Sequence, residues 1–503
     1  MNSILIIQKK ERDCGVVGKI FLNCSHSPHL LYDTILIVNG VSYTTHHLYG
    51  ERVKMQIVVH GNQSILLLLK EQEKNVQYKR SEYLIHEITE DGRLLLLNTI
   101  SGEMVLLTEE EKNAFEKMPS NIIPSLSDLF LHGYIVPAAR NEMRQIEQLR
   151  AIFLKMSENE GVINHYNILP TTCCNARCFY CYESGIKRVD MSKETADSLV
   201  KFIAAHSNNA KITLSWFGGE PTLKKDRIDQ ICRKLNDNDI SFVSKMISNA
   251  YLFDKELVKH AKSAWHLKNI QITLDGTETI YNKTKAYIYK DTNPYQRVLR
   301  NIRLLLDEKI RVVIRLNMDS HNQNDMICLI EELATMFAGE KLLFVYVRRL
   351  IENVGDHPLD HSEEEISKLN QRYSELQDLL EQKGWAQIEK SLPSLSEWIC
   401  MADNPASVQC SPDGILSKCE HHIFDHTIGT LEDGVTDFEE VKRWQEKTPF
   451  STCEGCVLFP SCRYVLKKCP SRPAECDQEE KRKRIDRIHA QMAEMYQKWN
   501  AAQ

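Results

Sequence analysis

Short apolar runs alternate with amphipathic segments throughout residues 161–385. The runs have the length of buried strands and lie at Tyr166–Leu169, Ile212–Trp216, Lys245–Ile247, Ile270–Leu274, Val312–Leu316 and Leu342–Val347. Segments with helical periodicity separate or follow them, at Lys193–Ala205, Leu223–Leu235, Lys255–Ser263, Tyr295–Asp307, Met326–Phe337 and Glu363–Gln382. Strands and helices in alternation predict a parallel sheet covered by helices. The expected fold class is α/β, with six such units forming an open, partial β/α barrel over residues 160–385.

The first 78 residues contain strand-like runs and no chemical motif. These runs are Ile4–Ile7, Thr34–Val38, Gln56–Val59 and Ile65–Leu69. Residues 1–78 are therefore expected to form a β-rich region, to which we assign no role.

Residues 79–150 have the pattern of a small winged-helix-like domain. The predicted elements are strands Leu94–Leu97 and Met104–Leu107, helices at about 109–118 and 124–131, and a wing strand Gly133–Pro137. Thr108 precedes three glutamates, a combination typical of a helix N-terminus. Such a domain serves packing or dimerisation, or it recognises a partner.

The end of the chain is rich in cysteine. Eight of the 16 cysteines lie between residues 400 and 476, which marks an extension over residues 395–480. A charged segment, Gln478–Asn500, predicts a terminal helix over residues 481–503 that caps this extension.

Composition and charge limit the partners and the cellular compartment that we expect for this protein. A net charge of −6 provides no general attraction for nucleic acid. No apolar run approaches the roughly 20 residues of a membrane span, and the N-terminus is not a signal peptide. We expect a cytoplasmic protein without nucleic-acid or membrane partners. In that compartment cysteines serve metal binding or catalysis more often than disulfides.

Three thiols at Cys174, Cys178 and Cys181 follow the first predicted strand of the barrel. Three thiolates can hold three irons of a [4Fe-4S] cube and leave the fourth iron open, whereas a structural zinc or an ordinary electron-transfer cluster takes four protein ligands. From spacing alone a zinc knuckle remains the alternative.

Polar residues and glycines follow the other strands, where the C-terminal ends of parallel strands build a site. They are Gly218, Gly219, Glu220, Ser248, Thr273 and Arg315. Paired glycines allow a backbone to approach a ligand closely. Taken singly, each polar residue is explained by solvation or helix capping. As a ring at one face, they suit a ligand that carries ribose hydroxyls and an amino acid moiety.

The sequences CNARCFYC and FGGEP resemble the radical S-adenosylmethionine (SAM) superfamily. The resemblance implies that Cys174, Cys178 and Cys181 hold a [4Fe-4S] cluster whose open iron is chelated by SAM. It further implies cofactor contacts from Tyr180, Gly218, Gly219, Glu220, Ser248, Thr273, Lys285 and Arg315. Lys285 stands where relatives often carry arginine. Cys173 has no counterpart in the motif and is expected to be a spectator.

The cysteine-rich extension resembles the SPASM domain of radical enzymes that act on peptides, which holds two auxiliary [4Fe-4S] clusters. By that resemblance one set of ligands is Cys400, Cys410, Cys419 and Cys469. The other is Cys453, Cys456, Cys462 and Cys476. Six residues between Cys462 and Cys469, where the family usually has three, weaken the assignment of Cys469. Two structural zinc sites are the alternative. Glu420, beside Cys419, is a candidate catalytic base, with an exposed carboxylate as the ordinary explanation.

Residues 79–150 resemble the peptide-recognition domain of enzymes that modify ribosomally made peptides, in which a leader peptide adds to a sheet edge. The combined resemblance implies a maturase that installs thioether (sactionine-type) crosslinks in a cysteine-rich precursor peptide through a 5′-deoxyadenosyl radical. Its partners would be that peptide and an electron donor such as flavodoxin or ferredoxin.

Other functions fit the same sequence. A sulfatase-maturing enzyme would convert a cysteine or serine to formylglycine. A peptide epimerase or a carbon–carbon crosslinking enzyme would use the same radical, an epimerase with a free thiol such as Cys173 as hydrogen donor. A zinc-based scaffold would bind no SAM.

Overall fold

The computed structural model describes residues 34–38, 41–45, 56–61, 76–121, 126–290, 293–350, 363–385, 392–396, 398–470 and 472–503, with backbone alone for 34–38, 41–45, 156–160, 363–367, 480 and 483. The chain divides into two compact units, residues 1–56 and 57–503. In the first, Thr34–Val38 (β1) and Val41–Thr45 (β2) pair in antiparallel fashion. The predicted strands Ile4–Ile7 and Ile65–Leu69 lie outside the described residues.

The N-terminal part of the second unit contains two small sheets. The strands of the first are Gln56–Val59 (β3), Leu84–Ile88 (β5), Leu94–Asn98 (β6) and Glu103–Leu106 (β7), in the order β3-β7-β6-β5. The second has Gln77–Arg80 (β4), Ser120–Asn121 (β8) and Ile135–Pro137 (β9), in the order β8-β4-β9. Because β3 lies beside β7, the chain itself extends the sheet predicted for residues 79–150.

Three helices accompany these sheets: Glu109–Glu116 (α1), Ser127–Leu131 (α2) and Glu142–Glu160 (α3). Thr108 caps α1 as predicted. Its side chain accepts from the backbone N–H of Glu111, and the Glu111 side chain accepts from the N–H of Thr108, so both amides are satisfied.

Six parallel strands in sequence order form the centre of the molecule. They are His165–Ile168 (β10), Ile212–Trp216 (β11), Phe242–Ile247 (β12), Leu267–Leu274 (β13), Arg311–Met318 (β14) and Leu343–Arg349 (β15). The helices are Lys193–His206 (α4), Lys225–Asp237 (α5), Lys255–Ser263 (α6), Glu278–Lys285 (α7), Pro294–Asp307 (α8), Asp325–Met336 (α9) and Glu363–Gln382 (α10). The predicted α/β alternation is confirmed. Alternate strand residues such as Leu214, Ile270 and Ile314 are buried in the main core with the helices.

The cysteine-rich extension is built onto this sheet. Its strands are Ser407–Cys410 (β16), Ile415–Ser417 (β17), Gly429–Thr430 (β18) and Gly434–Val435 (β19). β16 pairs in parallel with β10, with His165 opposite Ser407 and Ile168 opposite Cys410. The result is one sheet of ten strands, in the order β15-β14-β13-β12-β11-β10-β16-β17-β18-β19.

Two helices complete the extension, Phe438–Gln445 (α11) and Gln478–Ala501 (α12). α12 was expected to cap the extension, and it contacts β5 of the N-terminal sheet. His489 of α12 lies 2.6 Å from a carboxylate oxygen of Glu87.

A second hydrophobic core joins the extension to the N-terminal sheet. It contains Tyr83 and Leu97 of the N-terminal part, Cys453 and Phe459 of the extension, and Met492 of α12. The Arg150 guanidinium donates to the carbonyls of Phe459 and Pro460 and lies over the Phe459 ring. Among the described residues, no helix combines the length and the apolar character needed to span a membrane.

Candidate functional site

The three-cysteine loop lies beyond the end of β10, and its thiols are close enough to interact electrostatically. Burial, the charge of Glu220 and the thiolates of Cys178 and Cys181 raise the pKa of Cys174 to about 12. Burial also raises the pKa of Cys178 and of Cys181, with Cys178 adding to the effect at Cys181. The backbone N–H of Ala176 donates to Cys174 Sγ at 3.4 Å. Because burial and mutual repulsion disfavour the thiolate forms of these three cysteines, a bound metal cation would stabilise them.

Cys173 is oriented differently. Its thiol hydrogen-bonds to Asp190, a carboxylate that also accepts from Thr171 Oγ1 and pairs with Lys224 Nζ at 2.7 Å. Although burial raises the pKa of Asp190, these contacts lower it overall. The Cys173 thiol therefore has a protein partner of its own in Asp190.

Gly218 and Gly219 are required by the close approach of the cysteine loop. A Cβ on Gly219 would lie 2.2 Å from the carbonyl oxygen of Cys173, and one on Gly218 would lie 2.4 Å from that of Thr171. Gly218 also has a φ of +104°, which disfavours any side chain. The N–H groups of Gly219 and Glu220 donate to the carbonyls of Thr171 and Cys173. The glycines therefore let two strand-end loops form backbone hydrogen bonds.

Glu220 is fully buried, and burial raises the pKa of its carboxyl even though hydrogen bonds oppose the shift. Oε1 accepts from the N–H and hydroxyl of Thr222 and from Ser248 Oγ at 2.8 Å. Oε2 accepts from the N–H of Asn249 at 2.8 Å. Since a carboxylate oxygen has two lone pairs, Oε1 is saturated and Oε2 can accept one more donor. Ser248 thus serves to hold Glu220.

Lys285 and Tyr180 form a buried group with Asp275, at the end of β13. Lys285 Nζ lies 3.0 Å from Asp275 Oδ2 and donates to Tyr180 Oη at 2.9 Å. Tyr180 Oη donates to Asp275 Oδ1 at 2.7 Å. Burial opposes the charge of Lys285, but Asp275 and Cys178 hold its pKa well above the ordinary value. The ammonium is therefore committed to these partners, and its positive charge lies close to Cys178.

Thr273 and Arg315 are opposite each other in the β13–β14 ladder. Arg315 Nε donates to Asn317 Oδ1 at 2.9 Å, and the neighbouring Tyr346 donates through Oη to Gln271 Oε1 at 3.0 Å. The two predicted residues are half-exposed on the face opposite the helix-covered core, where a ligand can reach them.

The thiols of the extension form two groups. Cys453, Cys456, Cys462 and Cys476 interact electrostatically, and burial and these neighbours raise the pKa of Cys453. Cys400, Cys419 and Cys469 form the other group, in which burial, Glu420 and the remaining thiols raise the pKa of Cys419 to about 12. The weakly assigned Cys469 is therefore among its predicted partners.

Cys410 is not part of either group, which corrects the predicted ligand set. It ends β16, where it pairs with Ile168 on one side and Leu416 on the other. Its side chain is fully buried in the main hydrophobic core, and Asp413 is the charged group that acts on it. Strand pairing thus fixes this thiol as a small apolar core residue.

A cavity of about 420 Å³ opens between the parallel sheet and the extension. The sheet contributes residues from β10 to β14, and the extension contributes Met401, Ser407 and Glu420. Glu420 is half-buried, and its charge acts on Cys400, Cys419 and Tyr346. The candidate base therefore lies where the cavity meets the first group of extension thiols.

Residues 168–333 match the family model of the Radical SAM superfamily. The chain contains a radical SAM domain. The structure of native anSMEcpe with bound AdoMet aligns with a TM-score of 0.50 and 15% identity, over 67% of this chain and 99% of that chain. This likeness concerns the fold alone.

Sequence relatives of the radical SAM domain are distant. Fe-coproporphyrin III synthase of Methanosarcina barkeri is 23% identical over 194 residues, which cover 38% of this chain and 45% of the relative. Radical SAM cyclopropyl synthase TigE of Paramaledivibacter caminithermalis is 21% identical over 204 residues, which cover 35% and 43%. The match thus spans less than half the length of these two relatives.

The radical SAM domain implies SAM and a [4Fe-4S] cluster, and the loop geometry fits both. Three thiols converge, and Cys173, the remaining cysteine of the loop, is directed at Asp190. That leaves one coordination position for a ligand other than cysteine. The free lone pair of Glu220 Oε2 suits the ammonium of an amino acid moiety.

Sequence reasoning missed several residues of the radical SAM domain. Asp275 anchors Tyr180 and Lys285, and Asn249 holds Glu220; both stand among the polar residues at the predicted strand ends, but these supporting roles were not predicted. Glu183 was also missed; it is 5% exposed, and burial and Glu420 raise its pKa to about 7 although Arg188 lowers it. Their position just after a strand or the cysteine motif was the available signal.

Proposed function

We propose that this protein is a radical SAM peptide maturase that installs thioether crosslinks, from cysteine sulfur to carbon, in a ribosomally made cysteine-rich precursor peptide. The observation that carries the proposal is the cavity walled by both the radical SAM sheet and the extension. A peptide in this cavity touches the sheet on one side and Glu420 on the other. Phe217 of the sheet wall directly precedes Gly218, and Glu420 of the opposite wall directly follows Cys419, so each wall continues in sequence into a predicted cofactor or cluster site.

The three-cysteine loop would hold the radical SAM cluster, and Glu220 would accept from the SAM ammonium. Thr273 and Arg315 would contact the remainder of SAM. Tyr180 and Lys285 would hold the three-cysteine loop in place through their hydrogen bonds. When bound, the cluster and SAM would supply a 5′-deoxyadenosyl radical as the acceptor of one hydrogen atom, and clusters in the extension would supply an acceptor for the remaining electron.

Glu420 would accept the proton of the peptide thiol, because its carboxylate lines the cavity beside Cys419. Each bridge then removes two hydrogens from the peptide, one as an atom and one as a proton, as a C–S bond replaces a C–H and an S–H bond. One electron is left over per bridge.

We assign the two auxiliary clusters to the groups that the fold brings together. Cys453, Cys456, Cys462 and Cys476 form a four-cysteine set. Cys400, Cys419 and Cys469 form a three-cysteine set, since Cys410 belongs to the core. An electron donor such as flavodoxin or ferredoxin would reduce the radical SAM cluster.

Residues 79–150 would bind the leader of the precursor. A leader strand needs an open sheet edge, and β3 already lies beside β7. Leader addition therefore requires the outer edge of β3, the outer edge of β5 or an edge of the β8-β4-β9 sheet.

The test is mass spectrometry of a candidate cysteine-rich precursor peptide after anaerobic incubation with the enzyme, SAM and reductant. A loss of two hydrogens per bridge, absent with Cys174→Ala and retained with Cys173→Ala, supports the proposal. Loss of sulfur from one cysteine indicates formylglycine formation. An unchanged mass with deuterium uptake from solvent indicates epimerisation. Either of these results replaces the thioether proposal, and a zinc-only protein ends it.

A further inference from the structure

A rung of polar side chains crosses five neighbouring strands inside the cavity. Strand pairing places Asn167 opposite Ser215, Ser215 opposite Lys245, Lys245 opposite Asn269, and Asn269 opposite Arg311. All five line the cavity. Since side chains alternate between the two faces of a strand, the neighbouring residues of these strands point to the helices, and this rung points to the ligand side.

Two members of the rung are cations. Within the part of the chain that the structure describes, no carboxylate forms an ion pair with Lys245 or Arg311. Arg311 lies over the Phe344 ring, with 3.9 Å between its guanidinium carbon and the ring centroid, and its buried Nε has no hydrogen-bond partner. An unsatisfied guanidinium donor facing a cavity is costly unless a ligand accepts from it.

The pKa of His165, which lies in the same wall of the cavity, indicates a positive electrostatic potential at this wall. Burial lowers the pKa of this histidine, and the charge of Lys245 lowers it further. Glu420, the acidic residue of the lining, acts on Cys400 and Cys419 at the extension side. Charge is therefore separated across the cavity, with cations on the sheet and the carboxylate on the extension.

The other residues that line the cavity are suited to binding a small side chain of a peptide. Asn167, Ser215, Asn269 and Gln271 offer neutral hydrogen bonds, and Ile247, Val313 and Met401 offer apolar contact. A carboxylate accepts from the fork of an arginine and from an ammonium at once. The cavity volume of about 420 Å³ accommodates a short peptide segment but not a folded domain.

We propose that the cavity binds a carboxylate of the substrate peptide between Lys245 and Arg311, so that the modified segment contains or adjoins an acidic residue. This inference rests on the proposed peptide substrate and specifies its chemistry. The carboxylate comes from an aspartate or glutamate side chain or from a peptide C-terminus. Its binding holds the neighbouring carbon atoms in the cavity.

The test uses the full-length, anaerobically reconstituted protein labelled with [13C]histidine. The His165 signal is assigned with His165→Gln and followed during titration with the probes Ac-Gly-Asp-Gly-NH2, Ac-Gly-Asn-Gly-NH2 and Ac-Gly-Gly-Gly-OH. We expect the aspartate peptide to shift this signal and to bind at least 10-fold more tightly than the asparagine peptide, consistent with a charged hydrogen-bonded pair. Tighter binding of the free acid identifies the C-terminus as the source.

Lys245→Gln and Arg311→Gln should each weaken binding of the aspartate peptide about 10-fold or more. Lys268→Gln provides the matched control, because Lys268 is an exposed lysine of β13 whose neighbour Asn269 belongs to the rung. Equal binding of all three peptides, or wild-type affinity of both cavity variants for the carboxylate peptide that binds best, overturns the inference. Because the readout needs no turnover, it separates this result from failure of the thioether proposal, which is judged by peptide mass.

Discussion

Lys285 Nζ lies 3.0 Å from Asp275 Oδ2, and both side chains are almost inaccessible to solvent. The pair joins the end of α7 to the end of β13, and Tyr180 Oη hydrogen-bonds to both residues. The cysteine loop is anchored further by the N–H of Arg177, which donates to the carbonyl of Lys285. A buried ion pair therefore supports the loop that would hold the radical SAM cluster.

Lys285→Met should lower the free energy of unfolding by roughly 3–5 kcal/mol, because it leaves Asp275 charged and buried without its cation. Chemical denaturation of the apoprotein measures this, with Lys268→Met as a surface control expected to change stability by less than about 0.5 kcal/mol. The double variant Lys285→Met/Asp275→Leu should recover part of the loss. Equal free energies of unfolding for Lys285→Met and Lys268→Met would show that the Lys285–Asp275 pair does not stabilise the fold.

Gly219→Ala should prevent the two loops from closing, because the added Cβ meets the backbone oxygen of Cys173 at 2.2 Å. We expect a loss of at least about 3 kcal/mol, since a backbone atom cannot rotate away as a side chain does. Iron analysis should show fewer irons per chain after reconstitution. Gly339→Ala is the control: its Cβ meets nothing within 4 Å, although its φ of +75° costs about 1 kcal/mol. Normal iron content in Gly219→Ala would refute this account.

Cys410→Ala and Cys419→Ala should separate a core cysteine from a ligand. We expect Cys410→Ala to keep the full iron content and to lose roughly 1 kcal/mol of stability from the missing sulfur. Cys419→Ala should lose up to about four irons, the content of one cube. Iron and sulfide analysis after reconstitution decides the matter. Equal iron loss in both variants would return Cys410 to the ligand set.

Lys245→Gln should raise the pKa of His165, because the lysine charge is one of the two causes that lower it. Burial is the larger cause, so the pKa should stay below 6.5. Because the pKa of His165 is lower in the folded than in the unfolded protein, protonation of His165 favours unfolding. The free energy of unfolding therefore decreases as the pH falls through 6.5. His165→Gln should flatten this dependence. The 13C shift of His165 against pH measures the first effect, and an unchanged midpoint would show that Lys245 does not act on it.

Cys456→Ala should loosen the N-terminal sheet as well as the extension. Cys456 belongs to the hydrophobic core that contains Leu95 and Leu97 of β6, so loss of the metal set removes support from that strand. Hydrogen exchange at the amides of β6 should become faster. Cys419 lies outside this core, so Cys419→Ala is the control. Unchanged exchange in Cys456→Ala would show that the sheet is stable without the extension.

The central fold could be predicted because apolar strands and amphipathic helices alternate in a regular way. The predicted bounds were close, although β12 begins at Phe242 and β13 at Leu267, before the apolar runs become continuous. The pairing of β16 with β10 was not predictable, since these strands lie more than 200 residues apart. No local pattern specifies which distant strand covers a sheet edge.

The site was predictable where spacing encodes it and not where packing decides it. The convergence of Cys174, Cys178 and Cys181 follows from a short loop. Cys410 has an equally suggestive spacing, but its place in β16 buries it among apolar residues. The sequence singled out Gly218 and Gly219 for a ligand contact, and only the fold reveals a second requirement, since the atoms nearest to an added Cβ belong to Cys173 and Thr171.

The pairing of β16 (Ser407–Cys410) with β10 (His165–Ile168) determines which fragments of this chain we expect to remain in solution. Residues 168–333 match the family model, and a fragment ending near residue 385 would retain the six strands from β10 to β15. It would also expose the free side of β10, an open row of backbone donors and acceptors that other chains can join. The extension therefore protects the radical SAM domain against self-association, and its removal should produce insoluble protein before any question of catalysis arises.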